Sequence, residues 1–428
     1  MNCLNRSHGG GSVAAIIGLL SVGLASGCAD RALYLGSSGG ESGGETRGPE
    51  ERPEPLEPER PEPDRPTPRG CGDGELDIDE LCLEDAIELD AGIDPCAIVA
   101  ADIDRDGHVD LAVPNSDAFT EPYPNVANVL YGTGDGRVSS PYAYKAGGNL
   151  PVAIAAGAVD FAPGLELVVV NYEVHEVTLL RNAGKRDFHA GVPSKVGQTP
   201  QGVAAGDLNN DGLDDVVVTN GDSGDLTVLL STGDGLVDLG VYSLGALPVT
   251  PVIADINRDG VADVLVTNMS SGDISVLVGL GGGALLDAGR VPVGEGPFGL
   301  AVADLDDDGR PDVVVANEYD NTLGILRGRG DGGFNRHSAL EVGWGPRRLA
   351  LADMNGDGAL DIAVAHGSSE DVWVLLGDGE LRFTHDSTYS VGALPSGIVA
   401  ADLNEDGMPD LAVANQYGNS VSLILSNP

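Results

Sequence analysis

Basic residues are scarce in this chain of 428 residues. Lys and Arg together number 23 against 67 Asp and Glu, which gives a formal net charge of -44 at pH 7. Nucleic-acid binding and electrostatic docking on anionic lipid both depend on Lys and Arg, so the composition argues against both classes of protein. Most of the excess charge is expected to serve solubility.

Residues typical of catalytic sites are also few. The chain has 7 histidines, which are scattered, and it contains no nucleophile elbow and no phosphate-binding Gly loop with a Lys. Cysteine and histidine do not occur at the spacings of a zinc site either. We therefore predict that the protein is not an enzyme.

No long hydrophobic run follows the N-terminal region, where Arg6 precedes an apolar stretch from Val13 to Leu24. This layout is typical of a secretory signal, and the stretch is short for a membrane span. Residues 1–28 end in Leu-Ala-Ser-Gly-Cys, which resembles a bacterial lipobox, although Ala25 stands where Leu is usual. The resemblance implies that Cys28 is lipidated and anchors an outer-membrane or cell-surface lipoprotein; plain cleavage and secretion are the alternative.

The segment after the signal has nothing apolar to bury. Residues 29–70 are rich first in Gly and Ser and then in Pro and Glu, which predicts a disordered stalk. Residues 71–83 form a short Cys-containing lead-in. In an exported chain a disulfide between Cys71 and Cys82 is plausible, and it leaves Cys96 over.

A nine-residue acidic loop dominates the rest of the chain, and the segment from Asp304 to Asp312 illustrates it. Carboxylates at positions 1, 3 and 5 can surround one ion if the backbone turns sharply at Gly309, position 6, because glycine tolerates positive φ. Position 7 offers its carbonyl, and position 9 closes the shell. An all-oxygen shell of this kind suits Ca²⁺. Position 12 is Val315 rather than the Glu of an EF-hand, so the loop is expected to join two strands.

Six copies of this loop are intact, which predicts about six Ca²⁺ ions. Their ligand positions 1, 3, 5, 7 and 9 are Asp102, Asp104, Asp106, His108 and Asp110; Asp207, Asn209, Asp211, Leu213 and Asp215; Asp255, Asn257, Asp259, Val261 and Asp263; Asp304, Asp306, Asp308, Arg310 and Asp312; Asp353, Asn355, Asp357, Ala359 and Asp361; and Asp402, Asn404, Asp406, Met408 and Asp410. In a seventh copy Ala158 and Ala162 replace ligands while Asp160 and Glu166 survive, so no ion is expected there. We expect the ions mainly to stabilise the fold.

The loops recur at steps of 48 or 49 residues from Ala158 onward, after a first step of 56, and other residues keep phase with them. A Pro precedes each loop by seven residues, a Gly lies three residues earlier, and an Asn follows position 1 by thirteen residues in every copy except one, which has His366. Each unit reads as four strands, the size of a propeller blade. The last unit lacks its fourth strand, which Glu84 to Asp90 can supply.

These residues predict an all-β fold, a seven-bladed β-propeller of four-stranded antiparallel blades that is closed by an N-terminal strand in the last blade. The repeats over residues 84–428 resemble FG-GAP repeats, also called VCBS repeats, the family that includes the propeller of integrin α subunits. Phe298-Gly299 even preserves the eponymous pair. The resemblance implies a Ca²⁺-binding propeller in a surface-exposed protein, often adhesive.

Two features remain as candidate ligand sites. The first unit carries an insertion from Ser116 to Asn125, in which Phe119 and Tyr123 would be suitable anchors for a ligand, and a neutral insertion is the alternative. Trp344 and Trp373 are assigned to core or rim packing, with stacking on a sugar as the alternative.

The hypothesis that follows is a monomeric, lipid-anchored interaction module for a protein or glycan at the cell surface. The alternatives are a secreted carbohydrate-active enzyme, either a lyase or a hydrolase, and a structural surface protein without a specific ligand.

Overall fold

The computed structural model describes residues 24–25, 81–116 and 125–427, and these form strands and turns without a helix. Within these ranges, then, no helix is available that is long and apolar enough to cross a membrane. The strands are β1 Leu24–Ala25, β2 Ile87–Asp90, β3 Ala97–Ala101, β4 Asp110–Asn115, β5 Val126–Leu130, β6 Tyr142–Lys145, β7 Pro151–Gly157, β8 Glu166–Asn171, β9 Glu176–Asn182, β10 Phe188–Ala190, β11 Ser194–Lys195, β12 Pro200–Gly206, β13 Asp215–Asn220, β14 Asp225–Ser231, β15 Leu236–Ser243, β16 Pro248–Ala254, β17 Asp263–Asn268, β18 Asp273–Gly279, β19 Leu285–Pro292, β20 Pro297–Ala303, β21 Asp312–Asn317, β22 Thr322–Gly328, β23 Phe334–Glu341, β24 Pro346–Ala352, β25 Asp361–His366, β26 Asp371–Gly377, β27 Phe383–Ser390, β28 Pro395–Ala401, β29 Asp410–Asn415 and β30 Ser420–Ile424.

These strands form seven antiparallel sheets, one for each sequence repeat. Blade 1 is β3 to β6, blade 2 β7 to β11, blade 3 β12 to β15, blade 4 β16 to β19, blade 5 β20 to β23, blade 6 β24 to β27, and blade 7 β28 to β30 with β2. The outermost strand of blade 2 is split into β10 and β11, which both pair with β9. The predicted propeller of seven four-stranded blades is confirmed.

The first strands of the seven blades contact one another in a closed cycle. Each of β3, β7, β12, β16, β20, β24 and β28 lies against the next, and β28 lies against β3. The buried apolar side chains, mostly Val, Leu, Ile and Ala, cluster between neighbouring blades; one cluster joins blades 4 and 5 and another joins blades 5 and 6. Hydrophobic burial between blades therefore closes the ring.

Blade 7 obtains its fourth strand from the beginning of the described segment. Strand β2 pairs antiparallel with β30, with Ile87 opposite Leu423 and Asp90 opposite Ser420. Two backbone hydrogen bonds extend the pairing outward, from Glu84 N to Leu425 O and from Asn427 N to Cys82 O, both 2.8 Å long. The closing strand predicted between residues 84 and 90 is confirmed: β2 is the outermost strand of blade 7, and it covers the edge of β30 that would otherwise be unpaired.

The in-phase glycines and asparagines have a common structural cause. The Asn at the end of each second strand is buried, and its side chain packs on the Gly before the Pro of the same blade. A Cβ added at Gly148 would lie 2.4 Å from Asn171 Cγ, and one added at Gly245 would lie 2.4 Å from Asn268 Cγ. Only glycine leaves room for the Asn side chain at this position. The Gly and the Asn therefore recur together for one structural reason.

Asn tolerates the left-handed conformation of turns, but none of these asparagines has positive φ. The left-handed residue lies four positions later, as at His175 and Asn321. The Asn side chain instead donates to the following hairpin: Asn220 Nδ2 donates to Asp225 Oδ1 at 2.7 Å and to Thr227 Oγ1 at 2.9 Å. Its place is thus set by buried hydrogen bonding.

The described residues bear on the predictions for the N-terminal region in two places. Strand β1 pairs with β3, with Leu24 opposite Ile98, and so lies beside the innermost strands. Cys82 and Cys96 are both disulfide-bonded, so the expectation that Cys96 is left over was wrong. Cys28 and Cys71 lie outside the described residues, as do Phe119 and Tyr123.

Candidate metal centres and the proline face

The two faces of the ring carry different connections. In each blade the first strand runs from its Pro to the acidic loop, and the second strand returns. We call the side with the acidic loops the metal face and the side where the Pro residues begin the first strands the proline face. The turns between second and third strands and the links between blades therefore lie on the proline face.

The six intact loops share one backbone conformation. The glycine at position 6 has positive φ throughout, between 81° at Gly309 and 97° at Gly107. Position 4 is also left-handed, for example at Arg105, Asp307 and Glu405. Most side chains adopt this conformation only at a cost of about 1 kcal/mol, so the surrounding loop must stabilise it. Sequence reasoning found the first of these turns and missed the second.

Hydrogen bonds within each loop hold the carboxylates in place. The Gly N–H at position 6 donates to the position 1 carboxylate, with lengths from 2.7 Å in blade 5 to 3.2 Å in blade 1. Position 9 is fully buried and accepts two backbone N–H groups: Asp312 Oδ2 accepts from Leu305 N at 3.0 Å and its Oδ1 from Gly328 N at 2.8 Å. Position 9 therefore joins the loop to the end of the third strand.

Several ligand oxygens in these loops are buried and lack a hydrogen-bond donor. They are Oδ1 of Asp102, Asp306, Asp353 and Asp402. A buried carboxylate oxygen without a donor is costly, and a divalent cation would satisfy it. Oxygens of Asp102, Asp104 and Asp106, and likewise of Asp304, Asp306 and Asp312, lie within 4.8 Å of one another. The residues present thus fit a hard cation such as Ca²⁺.

Burial perturbs the carboxyl at position 9. It raises the pKa of Asp110, Asp215 and Asp361 to about 6, and it raises the pKa of Asp312 and Asp410 above the ordinary range. For Asp215, hydrogen bonds from backbone N–H groups lower the pKa, and the neighbouring carboxylates of Asp211 and Asp207 raise it further. A cation in the loop would favour the ionised form, so binding a metal ion and ionising position 9 support each other.

The loops fall into two classes at position 3. Blades 3, 4, 6 and 7 have Asn there, and its amide donates to the position 5 carboxylate, as from Asn209 Nδ2 to Asp211 Oδ2 at 2.9 Å. Blades 1 and 5 have Asp instead, and each is paired with an Arg. Arg186 Nε lies 2.5 Å from Asp104 Oδ2, and Arg327 Nη2 lies 2.6 Å from Asp306 Oδ2. Each of these Arg residues offsets the additional negative charge that Asp brings to position 3, and in blade 5 Arg310 at position 7 also pairs with Asp308.

The seventh loop, in blade 2, has a protein cation in place of two lost ligands. Arg181 Nη1 lies 3.0 Å from Asp160 Oδ2, and its other amino group donates to the Asp234 carbonyl of blade 3. Glu166 at position 9 is buried and accepts from Val159 N at 2.9 Å. The guanidinium pairs with the Asp160 carboxylate, and the absence of an ion from this loop stays a prediction.

The side chain at position 7 of blade 1 has a role beyond its backbone carbonyl, which was the only role expected. His108 Nδ1 lies 2.5 Å from Glu405 Oε1 of blade 7, and this hydrogen bond raises the pKa of His108. The contact joins the loops of two neighbouring blades across the closure of the ring. The equivalent Leu213, Val261, Ala359 and Met408 have apolar side chains.

A buried charged cluster lies on the proline face of blade 6, and sequence reasoning did not find it. Arg347 and Arg348 are only 2% and 1% exposed, and their guanidinium carbons lie 4.9 Å and 4.7 Å from the centre of the Phe298 ring. Arg347 Nε donates to Glu318 Oε1 at 2.9 Å. Arg348 donates to Thr250 Oγ1, so it reaches across from blade 6 to blade 4.

Desolvation shifts both signs of charge in this cluster. Burial raises the pKa of Glu318 to about 7 and lowers the pKa of Arg348 to about 9. Glu318 and Arg348 are therefore both charged at pH values between about 7 and about 9.

The two tryptophans differ in exposure. Trp373 is half-buried between His366 and His385, whereas Trp344 is 74% exposed on the proline face. Of the two placements expected for the tryptophans, core or rim, the core is thus excluded for Trp344.

The fold and its loops define a β-propeller with repeated acidic loops. The model of the FG-GAP-like repeat matches residues 164–218, 207–266, 255–315, 304–364 and 353–413, which together span more than half of the chain. The chain belongs to this family. The search of curated proteins finds no relative that matches it.

Several solved propellers share the architecture at low sequence identity. A structure of BBS1N in complex with ARL6DN is 16% identical with a TM-score of 0.57 and covers 82% of this chain and 98% of that one. A putative 6-phosphogluconolactonase from Bacteroides fragilis is 13% identical with a TM-score of 0.57, covering 71% and 86%. Virginiamycin B lyase from Staphylococcus aureus is 11% identical with a TM-score of 0.54, covering 81% and 99%. These likenesses show the fold alone.

Proposed function

We propose that the protein is a calcium-stabilised interaction module that is exported and held by an N-terminal lipid at a bacterial outer membrane or cell surface. Its metal face binds about six Ca²⁺ ions, and its proline face contacts a protein or glycan. The observation that carries the calcium assignment is the set of buried, donor-free carboxylate oxygens at Asp102, Asp306, Asp353 and Asp402. Repeated geometry in six loops supports a structural role for the ions.

The calcium part is tested by thermal unfolding with saturating Ca²⁺ and with excess chelator. A site occupied at a hundredfold excess over its Kd contributes about 2.7 kcal/mol, so removing several ions should lower the melting temperature by tens of degrees. Metal analysis of the purified protein should find about six calcium ions. An unchanged melting temperature in chelator, or no retained calcium at millimolar supply, would contradict the proposal.

The anchor is tested by mass spectrometry of the mature N-terminus. We expect a diacyl- or triacyl-modified Cys28 in membrane fractions, and an unmodified new N-terminus would instead indicate plain secretion. Cleavage before Cys28 removes β1, which pairs with β3 as a fifth strand of the first sheet, and it leaves the four strands β3 to β6 of blade 1 in the mature chain.

A carbohydrate-active enzyme, either a lyase or a hydrolase, is the second candidate because acidic and basic groups converge on the proline face. Glu318, Arg347 and Arg348 form the cluster that this reading needs, although all three side chains are largely buried. The names of two similar propellers are those of enzymes, and another is in complex with a protein. Depolymerisation of a polysaccharide that Glu318→Gln abolishes would favour the enzyme over the interaction module.

A further inference from the structure

Three exposed aromatic rings occupy one sector of the proline face. Tyr319 is 64% exposed, Trp344 is 74% exposed and Tyr417 is 52% exposed. Tyr319 lies in the turn after β21, Trp344 in the link before β24 and Tyr417 in the turn after β29, so the rings belong to blades 5, 6 and 7. We call these three residues the aromatic sector. Exposed aromatic side chains that are grouped on one part of a surface, rather than scattered singly, are typical of ligand-binding sites.

The backbone that carries each ring is fixed to a neighbouring connection. Tyr319 N donates to Glu295 O at 3.2 Å, and Tyr417 N donates to Ala393 O at 3.1 Å. The carbonyl of Trp344 accepts from Ser368 N at 3.3 Å. The next residue, Gly345, donates its N–H to Asn321 Oδ1 at 2.8 Å and so joins blades 5 and 6. Ring positions set in this way need little ordering when a ligand binds.

The buried charged cluster connects the members of the aromatic sector. Glu318 precedes Tyr319 in the chain and holds Arg347 at 2.9 Å. Trp344 lies three residues before Arg347. Burial lowers the pKa of Arg347 to about 10, and the Tyr417 phenol is close enough to offset part of that shift. The ion pair therefore lies next to Tyr319 in the chain and near the Tyr417 phenol, and its two side chains are largely buried.

The spaces between the rings are polar and acidic. Asp320 is exposed next to Tyr319, and two further exposed carboxylates lie in neighbouring connections, Glu295 in the link before β20 and Glu370 in the turn after β25. Asp320 Oδ2 accepts from Glu295 N at 2.7 Å. Carboxylates accept hydrogen bonds from hydroxyl groups, and aromatic faces cover the C–H faces of pyranose rings. Acidic polymers would be repelled by these groups and by the formal net charge of -44. A protein partner would instead need a larger continuous apolar patch.

We propose that the aromatic sector of Tyr319, Trp344 and Tyr417 binds a neutral polysaccharide by stacking sugar rings on the three side chains. The inference rests on the proposed function as an interaction module and names its ligand class. Binding is non-covalent and needs no catalysis. The buried arginines support the surface and do not contact the sugar.

Affinity electrophoresis of the full chain with Ca²⁺ tests this inference. The gels contain one soluble neutral polymer each, namely amylose, dextran, galactomannan, mixed-linkage β-glucan or xylan, or an acidic one, alginate or pectate. We expect at least one neutral polymer to retard the protein, and Trp344→Ala to weaken that binding about tenfold or more, as loss of a central aromatic contact does. Tyr319→Ala and Tyr417→Ala should weaken it less.

Phe161→Ala is the matched control, because Phe161 is 80% exposed in the acidic loop of blade 2, on the metal face. Retardation by none of the neutral polymers, by acidic polymers alone, or equally in Trp344→Ala and wild type would overturn the proposal. Equal weakening by Phe161→Ala would do the same. A protein partner whose binding survives Trp344→Ala, without any neutral polymer bound, would assign the module to protein contact.

Fluorescence gives a second readout that does not depend on a disruptive variant. The chain has two tryptophans, so Trp373→Phe leaves Trp344 as the sole reporter. Saturation with the retarding polymer should shift Trp344 emission to shorter wavelength as water leaves the ring. Binding without any change in emission would place the ligand elsewhere and overturn the assignment. The calcium-dependent melting of Trp344→Ala is measured in parallel, so failure of the ligand site and failure of the calcium scaffold are distinguishable.

Discussion

Glu166→Gln should stabilise the protein at alkaline pH. Glu166 lies at position 9 of the one loop expected to bind no metal, and it is fully buried. Its Oε2 accepts from Val159 N at 2.9 Å, while its Oε1 has no hydrogen-bond donor. Burial and the neighbouring Asp160 raise the pKa of Glu166 from the ordinary 4.5 to about 7. The folded state therefore favours the protonated carboxyl.

The sign and size of the effect follow from this shift. When the pKa of a carboxyl is higher in the folded state than in the unfolded state, the protein loses stability as the pH rises. For Glu166 the loss accumulates between pH 4.5 and pH 7 and stays constant above that range. A shift of about 2.5 pKa units corresponds to about 3 kcal/mol. Glutamine stays neutral and can keep the bond from Val159 N while its amide donates to Asp160. The gain should be about 1 kcal/mol at pH 5 and about 3 kcal/mol at pH 8.5.

Urea unfolding at the two pH values, in saturating Ca²⁺ so that the metal loops stay occupied, measures the difference between variant and wild type. Glu341→Gln is the control, because Glu341 is exposed at the end of β23 and should change the free energy of unfolding little at either pH. A gain that does not grow with pH, or a variant less stable than wild type at pH 8.5, would refute the reasoning.

Three further predictions concern single side chains. Arg181→Leu should cost about 2 kcal/mol of unfolding free energy because it leaves buried Asp160 without its cation, whereas Arg137→Leu, which breaks an exposed pair, should cost less than about 0.5 kcal/mol; equal urea midpoints for the two would contradict this. Asp353→Asn should reduce bound calcium by one ion per chain in metal analysis, and an unchanged count would remove the blade 6 loop from the set of sites. Arg348→Ala should cost about 2 to 4 kcal/mol in urea unfolding, since it leaves a cavity and an unpaired hydroxyl at Thr250; a loss below 1 kcal/mol would count against the cross-ring contact.

The repeating parts of the molecule were predictable because the same residue spacing occurs in several copies of the loop, which distinguishes it from a chance turn. The spacing of Asp304, Gly309 and Asp312 gave the turn and the ligand set, and the same spacing in other blades gave the blade count. The closing strand followed from the missing fourth strand of the last unit. These inferences need only local chemistry and a fixed period.

Contacts between side chains far apart in sequence were not predictable in this way. Arg348 and Thr250 are 98 residues apart, and His108 and Glu405 are 297 residues apart. Nothing periodic marks either pair. Arg181 could have been noticed in the sequence. The equivalent residue of the third strand is Leu or Val in four other blades, so an Arg there breaks an apolar repeat.

The way the ring closes also determines where tension enters it. Any pull on the chain ahead of residue 81 reaches Cys82 first, and then the bonds that Cys82 and Glu84 make with the last strand. The antiparallel pairing of β2 with β30 carries this load at the closure of blade 7. A molecule held by its N-terminal side and bound to a ligand on its proline face would thus be loaded at the place where the ring closes.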